Sequence, residues 1–352
     1  MKKCIVFTGG GTAGHVTPNL ALMAHFQQEG WEMHYIGAET GVEKELVASS
    51  GVHWHAVQCG KLRRYFSWKN FTDPFRILTG LLQSLWILNR VKPDIVFSKG
   101  GFVAVPVVVA AFLLRIPVVA HESDMTPGLA NRLCLPFVDT LCVNFTATKV
   151  THRKMRVTGL PLRAELFQGS AQKGLEIAGF TSDLPCLLVM GGSLGSRALN
   201  AAVREALPTL LTSFQVIHLC GRGNLDASLA DTPGYCQLEY ASDTLPHLFA
   251  ATSLVVSRAG ANTLSELLAL EKIHVLVPLS IKASRGDQIQ NAAWSRGMGA
   301  SVVIEEESLT PDTLNAAVAD AWSRREVLID NIRAIGAANG TDAVAKVILE
   351  KV

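Results

Sequence analysis

Two stretches of the chain decide its fold: Cys4-Ile-Val-Phe-Thr-Gly-Gly-Gly-Thr-Ala-Gly-His15 and Cys186-Leu-Leu-Val-Met-Gly-Gly-Ser-Leu-Gly195. Each is an apolar strand that runs into glycines, and a helical pattern follows at 20–26 and at 198–203. Glycines in such a turn let backbone N–H groups approach a phosphate, and the helix N-terminus adds favourable dipole charge. Two copies, one in each half, predict two nucleotide-binding-type domains that face each other across a cleft. This arrangement indicates an enzyme that joins a phosphate-bearing donor to a second substrate.

The composition is that of a globular protein with two domains of ordinary size. The 352 residues are 49% apolar and 18% charged, which excludes a disordered chain. A net charge of +2 gives no reason to expect binding to nucleic acid. The seven cysteines are scattered without a Cys-x-x-Cys pair, so the sequence predicts reduced thiols in a cytoplasm and neither a disulfide framework nor a zinc site.

Short apolar segments alternate with helical patterns, which predicts an α/β fold of two doubly wound, Rossmann-like domains with parallel sheets. A hinge at 159–162 divides an N-terminal domain, residues 1–162, from a C-terminal domain, residues 163–334, and a helix at about 335–352 packs back on the first. The longest apolar stretch, 102–120, is interrupted by two prolines and an arginine, so we expect a buried helix and strand and no membrane span. The predicted strands are 4–8, 32–36, 53–57, 94–98, 117–121, 141–144 and 156–158 in the first half, and 186–190, 215–220, 237–240, 254–257, 274–277 and 301–304 in the second.

The first turn contains Gly9-x-Gly11-x-x-Gly14, which formally matches a dinucleotide fingerprint. That fingerprint also needs an acidic residue at the end of the second strand, where this chain has Tyr35-Ile-Gly37, so a nicotinamide enzyme is disfavoured. His15 follows the glycines near the start of a helix. The helix dipole there disfavours imidazolium, so His15 is either a neutral proton acceptor or a residue that caps the turn or contacts a phosphate.

Other polar segments also follow predicted strands. In the first half they are Ser98-Lys-Gly-Gly-Phe102 and His121-Glu-Ser-Asp124, which offer exposed amides, an imidazole and two carboxylates, although the second can equally be a solvated turn. In the second half, Ser257-Arg-Ala-Gly-Ala-Asn-Thr-Leu-Ser-Glu266 enters a helix, and Glu266 either accepts both hydroxyls of a ribose or pairs with the helix dipole. The sequence has no Asp-x-Asp clamp for a metal-bound nucleotide sugar, so helix dipoles and amides must neutralise the phosphates, and no metal or other cofactor is predicted.

Taken in order, these segments resemble the MurG family over nearly the whole chain. The motifs are Gly10-Gly-Thr-Ala-Gly-His15, Gly100-Gly-Phe102, His121-Glu122, Gly159-x-Pro-x-Arg163, Gly191-Gly-Ser193, the 258–266 segment and Gln288-x-x-Asn291. The resemblance implies a GT-B fold and an inverting transfer of N-acetylglucosamine from UDP-N-acetylglucosamine (UDP-GlcNAc) to the muramoyl 4-hydroxyl of undecaprenyl-diphospho-muramoylpentapeptide (lipid I), which makes lipid II for peptidoglycan. The N-terminal domain would then bind the acceptor on the cytoplasmic face of the membrane, and the C-terminal domain the UDP-sugar.

The resemblance also implies roles for individual residues. It places His15 facing the acceptor diphosphate, and Asp124 near the sugar, where many members carry Asn. Asp287 likewise stands where many members carry Gln. From the residues themselves we expect His15 to be the catalytic base, with Glu122 as the second choice because a carboxylate at a strand end could take the same proton. The remaining expected donor-binding residues are Gly11, Thr12, Ala13, Arg163, Ser193, Gly260, Ala261, Glu266, Gln288 and Asn291, and the residues expected at the acceptor diphosphate are Gly14, Gly100 and Gly101. Two alternatives stay open: a related GT-B enzyme acting on another lipid or small aglycone, and a non-catalytic sugar-nucleotide-binding protein.

A basic and aromatic segment, 62–69, predicts docking on an anionic membrane surface. Cations and rings alternate there as they do in interfacial segments, where each cation contributes about 1 kcal/mol near an anionic surface. The residues expected to dock are Arg63, Arg64, Tyr65, Phe66, Trp68 and Lys69. An ordinary solvated loop is the alternative. Downstream, Ile77, Leu81, Leu82 and Leu85 recur at helical spacing and are predicted to pack on the sheet.

Overall fold

A computed structural model describes residues 2–39, 43–60, 69–150, 152, 154–181, 183–192, 195–282 and 284–352. The chain divides into two compact units, one made of residues 1–163 and 339–352 and the other of residues 164–338. The contacts thus change unit after Arg163, one residue beyond the predicted boundary.

In the described residues, the first unit contains a parallel sheet of seven strands in the order β3-β2-β1-β4-β5-β6-β7. Helices cover both faces, as expected where parallel strands are linked by right-handed helical crossovers. The strands are β1 (Cys4–Thr8), β2 (Glu32–Ala38), β3 (His53–Val57), β4 (Ile95–Ser98), β5 (Val118–Glu122), β6 (Thr140–Val143) and β7 (Met155–Val157). The helices are α1 (Ala13–Gln28), α2 (Glu43–Val47), α3 (Lys69–Val91), α4 (Ala104–Leu113) and α5 (Leu129–Cys134).

The described part of the second unit contains a parallel sheet of six strands in the order β10-β9-β8-β11-β12-β13. Its strands are β8 (Cys186–Met190), β9 (Gln215–Leu219), β10 (Tyr235–Leu238), β11 (Thr252–Ser257), β12 (Ile273–Leu276) and β13 (Val302–Val303). Its helices are α6 (Ala171–Ala178), α7 (Arg197–Leu210), α8 (Leu245–Ala251), α9 (Ala261–Ala269), α10 (Asp287–Gly297), α11 (Pro311–Ser323) and α12 (Arg325–Ile335). The two sheets confirm the predicted α/β class with two doubly wound domains.

The end of the chain belongs to the first unit. Helix α13 (Thr341–Leu349) places Val344 and Ile348, both fully buried, in the core beside α1. Just before it, the Asn339 side chain pairs with the backbone of Leu162, since its Oδ1 accepts from the Leu162 N–H at 2.9 Å and its Nδ2 donates to the Leu162 carbonyl at 2.8 Å. These hydrogen bonds join the C-terminal segment, residues 339–352, to the end of the 1–163 part of the first unit.

One packing prediction is wrong. Leu81 and Leu85 of α3 pack against the hydrophobic cluster between the sheet and helices α3 and α4, but Leu82 is 60% exposed. Ile87 and Leu88 are buried instead, because the face that meets the sheet runs through these positions and Leu82 lies outside it.

Candidate functional site

In the first unit, two glycine turns lie side by side at the carboxyl ends of β1 and β4, where open α/β sheets bind ligands. The Gly10 N–H donates to the Gly100 carbonyl at 3.3 Å, which joins the turns directly. Gly101 has φ +84°, and a Cβ there would lie 2.2 Å from the Gly10 carbonyl oxygen. The two turns can therefore pack this closely only because position 101 is a glycine. Gly11 and Gly14 are exposed, so this part of the turn is accessible to a ligand.

His15 lies in the first turn of α1, directly after the glycines. It is half-buried, and its Nδ1 is 3.1 Å from the hydroxyl of Thr12, the residue that precedes the helix. In the tautomer with hydrogen on Nδ1, the ring donates to Thr12 Oγ1 and leaves Nε2 as a proton acceptor. Thr12 is therefore placed to orient the imidazole ring. Ala13, between the two, begins the helix.

Glu122, the second choice for the base, is only 5% exposed at the end of β5. Its Oε1 accepts from the Asp124 N–H at 3.0 Å, and its Oε2 accepts from the Gly128 N–H at 3.1 Å and from Asn131 Nδ2 at 2.8 Å. Three donors thus converge on one carboxylate and hold the segment between β5 and α5. Asp124 is half-buried beside it. All three hydrogen bonds of the Glu122 carboxylate therefore go to the segment that follows β5.

Two buried charged residues of this site were not predicted. Lys99 is 1% exposed, and its Nζ donates to the hydroxyl of Ser123. Burial lowers the pKa of Lys99 to about 8, while Glu122 and Asp124 act in the opposite direction. The fully buried Glu43 accepts from the Ala38 N–H at 3.1 Å and from the Gly11 N–H at 3.4 Å, and so ties α2 to the glycine turn. Neither residue could be predicted from its sequence context, because charged side chains are normally exposed.

In the second unit, the turn after β8 is equally tight. Gly195 has φ +75°, and a Cβ there would lie 2.1 Å from the Cys220 carbonyl oxygen. Ser196 caps α7 by accepting from the Leu199 N–H at 3.3 Å. Ser193, the predicted diphosphate residue, lies outside the described residues. The described part of the turn therefore has the geometry of an anion site at a helix N-terminus.

A buried arginine links this turn to three strand ends. Arg258 follows β11 and donates to Ser196 Oγ at 2.6 Å and to the Val277 carbonyl at 3.1 Å. Its guanidinium also pairs with Glu306. Burial raises the pKa of Glu306, but hydrogen bonds from Ser280 and Arg258 outweigh it and lower the pKa overall. Sequence reasoning did not single out either member of this pair, which are far apart in the chain.

The predicted ribose residue lies on the helix that follows Arg258. Gly260 precedes α9, Ala261 begins it, and Glu266 stands in its second turn with 8% of its surface exposed. A carboxylate interacts favourably with the helix dipole only when it lies in the first turn of the helix. Because Glu266 lies in the second turn, its position gives little support to a role in pairing with the dipole.

Helix α10 supports the ends of β11 and β12. Gln288 Oε1 accepts from the Leu279 N–H at 2.9 Å, which turns its amide nitrogen to within 4.0 Å of a Cβ built on Gly260. Asn291 is fully buried, and its Nδ2 donates to the Ala259 carbonyl at 3.1 Å. Asp287 forms an ion pair with Arg285 at 2.6 Å. Gln288 therefore reaches the turn beside Gly260, whereas Asn291 acts on the backbone beneath it.

Other predicted residues are not gathered into these clusters. Arg163 is half-buried at the end of the first unit's main span, and its buried Nε has no hydrogen-bond partner. The expected membrane residues from Arg63 to Trp68 lie outside the described residues, and of Lys69 the structure describes only that it begins α3.

Comparison with known proteins agrees with the division of the chain into two domains. Residues 5–143 match the N-terminal domain of glycosyltransferase family 28, and residues 186–347 match its C-terminal domain. The chain is 54% identical to the UDP-N-acetylglucosamine--N-acetylmuramyl-(pentapeptide) pyrophosphoryl-undecaprenol N-acetylglucosamine transferase of Legionella pneumophila (strain Paris), over 100% of this chain and 98% of that protein. The transferase of the same name from Lachnoclostridium phytofermentans is 52% identical, over 98% of this chain and 97% of that protein.

Among solved structures, MurG of Acinetobacter baumannii superposes with a TM-score of 0.79 at 28% identity and covers 99% of each chain. At this coverage the match spans both units. The chain belongs to the MurG family of glycosyltransferases, within glycosyltransferase family 28.

Proposed function

We propose that this protein transfers N-acetylglucosamine from UDP-GlcNAc to lipid I and so makes lipid II in peptidoglycan synthesis. The observation that carries this conclusion is the identity of 52–54%, over nearly the full length, to transferases whose names state this donor sugar and this acceptor. The reaction is inverting: the muramoyl 4-hydroxyl oxygen attacks the anomeric carbon, and the bond from that carbon to the UDP oxygen breaks.

His15 is the residue we propose as the base in this reaction. It would take the proton of the muramoyl hydroxyl on Nε2 while Thr12 holds Nδ1 at 3.1 Å. The adjoining amides of Gly14, Gly100 and Gly101 would bind the acceptor diphosphate, since two of these glycines form a close-packed turn at the same strand ends. In this assignment Glu122 orders the segment that follows β5.

The donor is proposed to bind the second unit. The turn at 191–195 and the N-terminus of α7 would hold the diphosphate, with Ser193 among its ligands. Glu266 would accept both ribose hydroxyls, and the amide of Gln288 beside Gly260 would face the sugar. For Asn291 we propose positioning of the Ala259 backbone, because its amide is used there. Gly11, Thr12, Ala13, Asp124, Arg163 and Ala261 remain proposed donor contacts.

The test of this function is the identity of the product. Purified protein is incubated with UDP-GlcNAc and either lipid I or diacylglycerol, and the products are analysed by mass spectrometry while UDP release is followed. We expect release of UDP that depends on lipid I and a lipid product heavier by one N-acetylglucosamine. Transfer to diacylglycerol instead would replace this function by that of another lipid glycosyltransferase. Binding of UDP-GlcNAc with no transfer to either acceptor would indicate a non-catalytic binding protein.

We further propose that the first unit docks on the cytoplasmic face of the membrane, where lipid I is anchored. No helix in the part of the chain described here is long and apolar enough to cross a bilayer. An exposed apolar stripe on α3 supports docking instead: Phe75 (73% exposed), Leu78 (54%), Leu82 (60%) and Trp86 (63%) stand three or four residues apart on one face. Such a stripe on a surface helix is expected at an interaction site.

Further exposed apolar residues lie on the helix that packs against α3. Phe112 and Leu113, at the end of α4, are 51% and 57% exposed, and α4 packs directly on α3. Arg90 stacks over the Trp86 ring at 5.4 Å, so a cation accompanies the aromatic side chain that would enter the headgroup layer. The basic segment 62–69 immediately precedes this helix in the sequence. Apolar area and positive charge thus lie on the same part of the chain.

Co-sedimentation with vesicles tests this docking. A Leu78→Ser/Leu82→Ser variant should lose binding to vesicles that contain phosphatidylglycerol, and an Arg63→Ser/Arg64→Ser/Lys69→Ser variant should lose the preference for these over phosphatidylcholine vesicles. The control, Leu225→Ser, removes a leucine of the second unit that is 52% exposed and should bind as the unchanged protein does. Undiminished binding by both of the first two variants would show that another surface docks.

A further inference from the structure

A second cluster of reactive side chains lies at the amino ends of the strands of the first sheet, whereas the glycine turns lie at the carboxyl ends. Cys4 is the first residue of β1 and Glu32 the first of β2, and the two are partners in the parallel register. His34 stands two residues after Glu32, on the same face of the sheet. One ligand-type atom from each of Cys4, Glu32 and His34 lies within 4.8 Å of the other two.

The orientation of His34 suits metal binding. Its Nε2 is 3.0 Å from Glu32 Oε1, and its Nδ1 is 2.9 Å from Nε2 of His55 on the neighbouring strand β3. A histidine that ligates a metal through one ring nitrogen normally donates the hydrogen of the other to an acceptor, which fixes its tautomer. His55 is such an acceptor, and its ring stacks on that of His34 at 5.2 Å.

The charges around the cluster favour a cation. The Glu32 carboxylate belongs to the cluster, and Asp94 Oδ2 accepts from the backbone N–H of Cys4 at 2.7 Å. These two carboxylates place negative charge beside Cys4, which favours a bound divalent ion. Cys4 and His34 are 7% and 8% exposed, whereas the Glu32 side chain is 45% exposed and leaves a path for an ion to enter.

We propose that Cys4, Glu32 and His34 form a binding site for Zn²⁺ or a similar borderline-soft divalent ion. The ligands would be Cys4 Sγ, a Glu32 carboxylate oxygen and His34 Nε2, with a water in the fourth position, and His55 would be a positioning residue. A thiolate with an imidazole selects such ions over Mg²⁺ and Ca²⁺, which prefer oxygen ligands alone. On binding, the bond from Cys4 Sγ to its proton breaks, the sulfur binds the ion and the proton goes to solvent.

This site is separate from the proposed transfer reaction. The cluster lies where β1 and β2 begin, whereas His15 and the glycine turns follow the end of β1. An ion there would link the first residues of two neighbouring strands and stabilise that edge of the sheet. The sequence contains no metal motif because the ligands at positions 4, 32 and 34 meet only through strand pairing.

The experiment uses the full chain without an affinity tag, stripped of metal and titrated with Zn²⁺ by calorimetry and with Co²⁺ by absorption spectroscopy. We expect one ion per chain, proton release on binding, and a thiolate-to-cobalt charge-transfer band. Cys4→Ser should abolish the band, and Glu32→Gln, a change at a half-exposed side chain that leaves the fold intact, should weaken Zn²⁺ binding. His55→Phe should weaken it ~10–100-fold, as loss of an orienting partner does.

Matched controls separate the site from general thiol and carboxylate binding. Cys134→Ser removes another buried free cysteine of the same unit, and Glu29→Gln removes another acid of that unit, at the end of α1. Both should bind Zn²⁺ as the unchanged protein does. Absence of stoichiometric binding to the unchanged protein, a charge-transfer band that survives in Cys4→Ser, or affinity unaltered in Glu32→Gln would each overturn the proposal. These readouts do not involve glycosyl transfer, so they stand or fall independently of the proposed function.

Discussion

Replacing Glu122 by alanine separates a structural carboxylate from a catalytic base. The Glu122 carboxylate accepts three hydrogen bonds, from the backbone of Asp124 and Gly128 and from the amide of Asn131. Hydrogen bonds to a charged group contribute about 1.5–3 kcal/mol each, which sets an upper bound of about 9 kcal/mol for all three. Because water can reach the donors once the side chain is shortened, we expect Glu122→Ala to lose about 3 kcal/mol of unfolding free energy.

Amide hydrogen exchange gives a local measurement of the same effect. The Asp124 and Gly128 N–H groups should exchange at least ~30-fold faster in Glu122→Ala, which corresponds to about 2 kcal/mol of lost local protection. Asp124→Asn is the matched control, because it changes the neighbouring charge but keeps the backbone N–H and the Glu122 carboxylate. His15→Ala should show the reverse pattern: turnover reduced by ~10²–10⁴-fold, with exchange at these amides unchanged.

The outcome that refutes this reasoning is a Glu122→Ala variant with normal exchange and normal unfolding free energy but greatly reduced turnover. Glu122 would then be a group that touches the reacting atoms, and the roles of Glu122 and His15 would be exchanged. Loss of protection together with reduced turnover supports the structural role.

Three further changes test other parts of the structure. Glu266→Ala should weaken UDP binding by about 100-fold in calorimetry, since the carboxylate would hold two ribose hydroxyls, and unchanged affinity would remove the assignment. Gly101→Ala should lower the unfolding temperature more than Gly11→Ala does: both have a left-handed φ, but only the Gly101 methyl would meet a backbone carbonyl, at 2.2 Å. Burial lowers the pKa of His218 to about 3 and that of His274 to about 4. Below about pH 6.5 the unfolded state therefore binds more protons than the folded state. The free energy of unfolding should decrease as the pH is lowered, by about 1.4 kcal/mol per pH unit for each histidine. Urea unfolding from pH 7 to pH 4.5 would measure this slope, which His274→Gln should reduce; an equal slope in that variant would contradict the assignment.

The central strands of the two sheets, such as β1 and β4, could be predicted from sequence because they are short apolar runs buried on both faces of a parallel sheet. β1, β3 and β8 match their predicted bounds, and the remaining strands overlap theirs. The agreement is weakest at the two edges of the second sheet. There β10 begins and ends two residues before the predicted 237–240, and β13 covers only Val302–Val303 against a predicted 301–304. An edge strand has one pairing neighbour, so fewer hydrogen bonds define its ends.

Side-chain roles were harder to predict, because they depend on partners far away in the chain. Periodicity identified α3 but assigned Leu82 to the core, and only the packing of the helix on the sheet shows which face is covered. The hydrogen bonds that occupy Glu122 come from residues in a following loop and helix, and the burial of Glu43 depends on its contacts with β2 and the first glycine turn. None of these contacts has a local sequence signal.

Both units have a buried cationic side chain in the same topological position, which the glycine motifs alone do not predict. In the sheet of the first unit, β4 pairs with β1 and ends in Ser98, followed by Lys99; in the second, β11 pairs with β8 and ends in Ser257, followed by Arg258. Each cation is buried beside its glycine turn and has a carboxylate from another strand end or loop close by, Glu122 or Glu306. A buried cation with such a partner fixes the turn at a smaller electrostatic cost than an unpaired one. In the substrate binding that we propose, the backbone amides and helix N-termini at these turns would stabilise the charge of a bound phosphate.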